Sequence, residues 1–327
     1  MIRPVEMQKT LPIELHGGVR ATTTQVWETL SASRDGDVDR VVELCSVVPA
    51  LSTCQYNYTP PIHFAVREGH FPLVTELIKR GALDPTYTSY PFRDSLVTMA
   101  RDRGHGEIAT YVTECLGKPE MTHKRDDTGV IDYGMDDTER RFEKAVHQNN
   151  LREAERLLVE RPGLAVRETA SWSEGVLMMP ANRGWRDMLE LLMRHGARVP
   201  DVSKWAPEYY FKHHDIAVFL MDNGMNPNHM SWQHVTLLHD MAQRGNLPKA
   251  RLLLDHGADI DAVDEEYRST PLGLAARWGH SKMVAFLLER AADPNKAAAP
   301  WATPLAWARQ KGFASIAGDL ERAGATA

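Results

Sequence analysis

The chain of 327 residues has only three cysteines, no apolar run of membrane-spanning length and no large excess of either charge. Cys45, Cys54 and Cys115 are too few and too irregularly spaced for a disulfide framework or a zinc site. A bilayer span takes about 18 consecutive apolar residues, and the opening "MIRPVEMQKTLPIELHGG" lacks a signal-peptide core. The expectation is a cytoplasmic protein with no membrane contact. A formal net charge of -6 supplies no bulk attraction to nucleic acid. G-x-S-x-G, H-E-x-x-H, paired C-x-x-C and phosphate-cradling glycine loops are absent too. Nothing positive supports an enzyme, although catalytic residues gathered from distant segments leave no local motif. No cofactor is expected.

What the sequence does have is periodicity. In "STPLGLAARWGHSKMVAFLLERAADPN", residues 269 to 295, Thr270 suits a helix N-cap and Pro271 the first helical position, where a missing N–H costs nothing. A helix is predicted through Leu272, Leu274, Ala275 and Ala276 to Gly279, and a second carries Val284, Leu287 and Leu288 on one face. Helices below about 12–15 residues are marginal alone, so this pair needs neighbours. The next stretch, "ATPLAWARQKGFASIAGDLERAGA", aligns Thr303, Pro304 and Gly312 with Thr270, Pro271 and Gly279 at an offset of 33 residues. Backwards, the register meets Gly245, Gly184, Gly104, Gly69 and Gly36, with Lys212 and Asn149 replacing glycine in two units. Nine units result, spaced by 33, 35, 45, 35, 28, 33, 34 and 33 residues.

"STPLGLAARWGH", "LLDHGAD", "LIKRGA" and "PPIHFAVREGH" make this array resemble the ankyrin repeat family over about residues 27 to 325. The resemblance implies an all-α, ankyrin-type solenoid of about nine stacked helix-turn-helix repeats with projecting loops. Residues 1–26 read as an N-terminal extension or partial cap, 27–116 as repeats one to three, 117–138 as a charged insertion loop and 139–327 as repeats four to nine. Asp136 with Glu139 predicts a capping box that restarts the pattern, and the spacing of 28 predicts a trimmed finger between the fifth and sixth units. Cys45 falls in an apolar slot of a second helix and reads as core. Of fourteen histidines, eight fall at repeat positions: His63 and His239 in the motif, His70, His105, His213 and His280 after the register residue, His195 and His256 before a glycine. His16, His123, His147, His214, His229 and His234 show no ligand spacing, so no metal site is expected.

In such stacks the concave surface is lined by the loop fingers and the inner helices, which the resemblance implies as the binding face. Two residues before the motif threonine, where the family places glycine, the chain has Tyr58, Arg93, Ser173, Asp201, His234, Arg268 and Trp301; one step earlier come Phe92, Trp172 and Tyr267, with Trp232 nearby. Exposed aromatics and arginines there read as partner contacts. A second, basic row ends the first helices: Arg34, Arg67, Arg103, His147, Arg183, Arg244, Arg277 and Lys311, with Trp278 beside it. On an acidic protein such a row favours an acidic or phosphorylated segment of another protein. The expected function is non-enzymatic protein binding. The alternatives are a pure scaffold, or a small-molecule sensor or atypical enzyme with a pocket near Trp205, Tyr209, Tyr210, Trp232 and His234, beside Phe211. If Tyr267, Arg268 and Trp301 are surface contacts, replacing all three with Ala leaves the melting temperature nearly unchanged.

Overall fold

Thr270 Oγ1 accepts a hydrogen bond from Gly273 N at 3.3 Å, with Pro271 at the first helical position, so the helix begins where the motif predicts. Thr303 repeats the device toward Ala306 N at 3.2 Å. Asp136 and Glu139 close a reciprocal box, each backbone N–H donating to the other's carboxylate at 2.9 and 2.8 Å. Starting from such caps, the chain builds two units. The computed structural model describes residues 1–124, 129–204 and 206–326. One unit spans Glu6–Gly134; the other spans Met135–Ala327 and includes Met1–Val5.

The N-terminal unit contains three helix pairs: Thr23–Asp35 (α1) with Val38–Val47 (α2), Pro61–Glu68 (α3) with Phe71–Lys79 (α4), and Leu96–Asp102 (α5) with Gly106–Leu116 (α6). The C-terminal unit opens with Asp137–His147 (α7) and Leu151–Glu160 (α8), followed by the single turn Ala170–Ser173 (α9). Its remaining pairs are Met178–Arg183 (α10) with Arg186–Arg194 (α11), Ala206–Tyr209 (α12) with His214–Asp222 (α13), Leu237–Gln243 (α14) with Leu247–Asp255 (α15), Pro271–Arg277 (α16) with Ser281–Glu289 (α17), and Pro304–Gln310 (α18) with Ala314–Arg322 (α19). Within each unit first helices pack on first helices, as α1 on α3 and α14 on α16 on α18, and second on second, as α2 on α4 and α17 on α19. Short amphipathic helices are stable in this setting because each neighbour covers an apolar face. Val284 and Leu287 are fully buried in that core and Cys45 nearly so, while Leu288 is only partly covered. No described helix is long and apolar enough to cross a membrane.

The histidines after the register residues lock neighbouring pairs together. Nε2 of His70 donates to Arg34 O at 2.8 Å, His105 to Arg67 O at 3.3 Å, His213 to Asn182 O at 2.9 Å and His280 to Gln243 O at 2.8 Å. Each ring reaches one repeat back and satisfies a carbonyl at the end of a first helix. Gly245 takes φ +64° and lies under the His280 ring, where a β-carbon would approach Nδ1 to 2.9 Å. Glycine is needed there both for the left-handed turn and for the close approach.

Two expectations are corrected. The chain is mostly helical but not all-α: Pro12–Leu15 (β1), Val19–Thr22 (β2) and Val130–Ile131 (β3) form an antiparallel sheet in the order β2-β1-β3. Ile13 and Leu15 alternate inward along β1, a period-two signal too short to read in four residues. The 117–138 segment therefore contributes a strand to the N-terminal unit, and residues 1–5 belong with the C-terminal one, where Ile2 N donates to Trp232 O at 2.8 Å. The short spacing before Lys212 also trims the inner helix of its pair, leaving α12 a single turn.

Candidate functional site

The finger turns place a left-handed residue at one repeated position. Tyr58 (φ +60°), Arg93 (+62°), Ser173 (+63°), His234 (+59°) and Arg268 (+52°) all occupy it, whereas Asp201 and Trp301 do not. A non-glycine residue in this region costs about 1–2 kcal/mol, which glycine would avoid. Core packing does not account for all of them, because Tyr58 is 43% exposed, Arg93 and Arg268 are exposed and His234 is half-buried. Strain retained at a surface position points to the side chain's use there.

The residue one step earlier behaves oppositely. Phe92 and Tyr267 are only 4% and 1% exposed, and Trp232 is buried, so the expectation of exposed aromatics is corrected for all three. Within the turn, side chains alternate between core and solvent, and the left-handed residue takes the outward place. Tyr267 packs edge-on against Trp278 and Trp307, at centroid distances of 5.3 and 6.0 Å, and Trp301 meets Trp307 at 5.6 Å. The Arg277 guanidinium sits 4.6, 4.2 and 5.1 Å from the Tyr267, Trp278 and Trp307 centroids. This cation–aromatic cluster is packing, so loss of Tyr267 is expected to destabilise the fold, contrary to the sequence-based expectation.

Trp172 is the exception. Ser171, Trp172 and Ser173 are all left-handed, which turns the alternation over: Ser171 and Ser173 are buried and the indole is 59% exposed. The turn is braced from below. Ser171 N donates to Glu143 Oε1 at 2.9 Å, Glu143 also pairs with Arg167, and Lys204 N donates to both oxygens of buried Glu174 at 3.1 Å. Lys204 Nζ donates to Trp172 O at 2.8 Å, and the His147 ring lies 6.0 Å from the indole. Burial lowers the His147 pKa.

The inner basic row is largely consumed internally. Arg67 is buried, paired with Glu68 at 2.7 Å and set over Phe64; Arg103 is buried with Nη1 directed at Met99 O, 3.4 Å away. Arg244 pairs with Asp240 at 2.8 Å and Glu208 at 2.9 Å, and Lys311 Nζ lies 5.8 Å from the Trp307 ring. Arg183 remains exposed. A buried guanidinium must be paired or stacked, which is why the row does not form the free basic stripe expected.

The aromatic residues expected to line a pocket near residues 205–234 are largely enclosed where they are described. Trp205 lies outside the described residues, Trp232 and Tyr210 are buried, and Tyr210 OH donates to Glu174 O. Tyr209 is half-buried, and His234 Nδ1 lies 3.1 Å from Glu265 Oε1. Buried Ser203 Oγ lies 2.8 Å from His229 Nε2, but both groups are enclosed, so the pair ties chain to chain and offers no nucleophile to a substrate. Instead a groove of about 260 Å³ opens in the N-terminal unit beside Tyr58 and Arg93, lined also by Tyr87 and Tyr90 from "TYTSYPF". Those two tyrosines lie inside a finger, outside the repeat positions that mark Tyr58 and Arg93.

A family profile described as ankyrin repeats matches residues 208–298 in three copies. The chain therefore carries ankyrin repeats. Relatives include palmitoyltransferase Hip14 of Drosophila melanogaster, 39% identical over 76 residues, covering 23% of this chain and 12% of the relative. Ankyrin repeat and KH domain-containing protein mask of the same species is 37% identical over 81 residues, 24% of this chain and 2% of its own length. A longer match, 27% identical over 246 residues, is to probable E3 ubiquitin-protein ligase XBOS33 of Oryza sativa subsp. japonica, covering 74% of this chain and 40% of that one. The chain thus spans less than half the length of each of these relatives.

Proposed function

We propose that this chain is a non-enzymatic module that binds another protein through its finger turns, and that all nine helix pairs act as ankyrin-type repeats. Ankyrin repeats are in general protein-interaction modules. The observation that carries the reading here is the repeated finger position, where non-glycine side chains are held left-handed and several are exposed. Trp172 is the anchor of the C-terminal unit: a braced, exposed indole on a strained turn, the type of rigid aromatic that dominates protein interfaces. Arg268 and His234 extend the contact along the same edge, and Arg183 contributes an uncommitted cation.

The left-handed backbone supplies a clean test. W172G, H234G and R268G remove side chains while relieving strain, so a triple glycine variant keeps its fold. Affinity capture from native lysate with wild type and the variant in parallel is expected to retain a protein on wild type alone. Equal retention on both columns overturns the finger-surface reading.

A further inference from the structure

In the N-terminal unit, Tyr58 and Arg93 reach the 260 Å³ groove from two successive finger turns, with Tyr87 and Tyr90 beside them. Both turns hold their groove residue left-handed, so the strain described above converges on one concavity. The Tyr58 and Tyr90 rings meet at a centroid distance of 6.4 Å and an angle of 52°, a wall of ring faces and edges. Asp84 also lines the groove, but its Oδ1 closes its own turn, accepting from Thr86 N and Thr86 Oγ1, both at 2.7 Å. Arg93 is exposed, and no described carboxylate lies within ion-pair distance of it.

Charge decides the occupant. An uncommitted guanidinium is a fork for one carboxylate, whereas phosphate recognition gathers several arginines and would set a doubly charged group near Asp84. The inner row offers no comparable fork in this unit, because Arg67 and Arg103 are buried and half-buried Arg34 is paired with Asp35 at 2.8 Å. We infer that the groove takes an acidic peptide, with a Glu or Asp carboxylate on Arg93 and an adjacent apolar ring, proline or aromatic, against Tyr58 and Tyr90. The inference rests on the partner-binding reading above and names the chemistry of the bound segment.

The test uses the full chain and an array of N-acetylated, C-amidated peptides Gly-Ser-Xaa-Yaa-Ser-Gly with both variable positions spanning the twenty residues. R93G and Y58G are compared after their melting temperatures are confirmed to lie at or above that of wild type, as the left-handed backbone requires. Retained peptides are expected to combine an acidic residue with a proline or aromatic one. R93G weakens these about tenfold, R93E shifts selection to Lys and Arg, and Y58G removes the ring preference. The inference is overturned if no peptide is retained, if acidic residues are not enriched, or if R93G selects the same set. Peptides that bind wild type and R93G equally but lose binding in W172G also overturn it, while leaving the partner-binding reading intact.

Discussion

At the scale of single residues, neighbours in one turn have opposite roles. Tyr267 is enclosed by Trp278, Trp307 and the Arg277 guanidinium, whereas Arg268 beside it is exposed and left-handed at φ +52°. Tyr267→Ala is expected to cost about 3–5 kcal/mol, the range for emptying an aromatic core site. Arg268→Gly is expected to stabilise by up to about 1 kcal/mol, because it relieves a left-handed side chain. Urea midpoints of the two variants should therefore move in opposite directions. A fall of similar size in both would mean that Arg268 is held by packing. Sequence position marks both residues as finger residues; which one faces inward depends on the turn's backbone.

At the scale of elements, a histidine joins four of the first helices to the following repeat. His280 reaches back to Gln243 O across the face of Gly245, leaving no room for a β-carbon. Gly312 holds the same register position at φ +78°, and nothing lies within 4 Å of a β-carbon there. Gly245→Ala should destabilise by more than the roughly 1–2 kcal/mol of backbone strain that Gly312→Ala incurs alone. His280→Ala removes the ring, so the Gly245→Ala and His280→Ala double variant should be less destabilised than the sum of the singles. Strict additivity in chemical denaturation would show that ring and glycine are not coupled. The periodicity of Gly-His was readable from the chain alone, but it did not reveal that the histidine serves the preceding repeat.

At the scale of the whole molecule, buried titratable groups link stability to pH. Burial lowers His229 and His239 to about 4, so the folded state excludes a proton that the unfolded state accepts below about 6.5. The stability they contribute is complete above pH 6.5 and is lost as pH falls toward 4. Asp240 opposes them: burial raises it to about 6, so between pH 6 and 4 the folded state binds a proton that the unfolded carboxylate does not, and acidification stabilises. With two histidines against one aspartate, these three groups together favour unfolding as the pH falls from 6.5 toward 4. Urea midpoints measured from pH 7 to 4.5 should fall, and Asp240→Asn should steepen the decline. An unchanged slope in that variant would remove Asp240 from the account.

Local chemistry in the sequence was enough to determine the helix pairs, their caps and their register. Thr270 with Pro271, Asp136 with Glu139 and the recurring glycines act within one turn of the chain, where spacing alone dictates which groups meet. Finger positions such as Tyr58, Arg93 and Trp172 were legible for the same reason. The tertiary structure decided which of them face solvent, how the basic row is spent on internal pairs, and that the segments around Ile13 and Val130 join in a sheet. Exposure, ion pairing and strand pairing depend on groups brought together from distant parts of the chain, and a repeat pattern does not specify those partners.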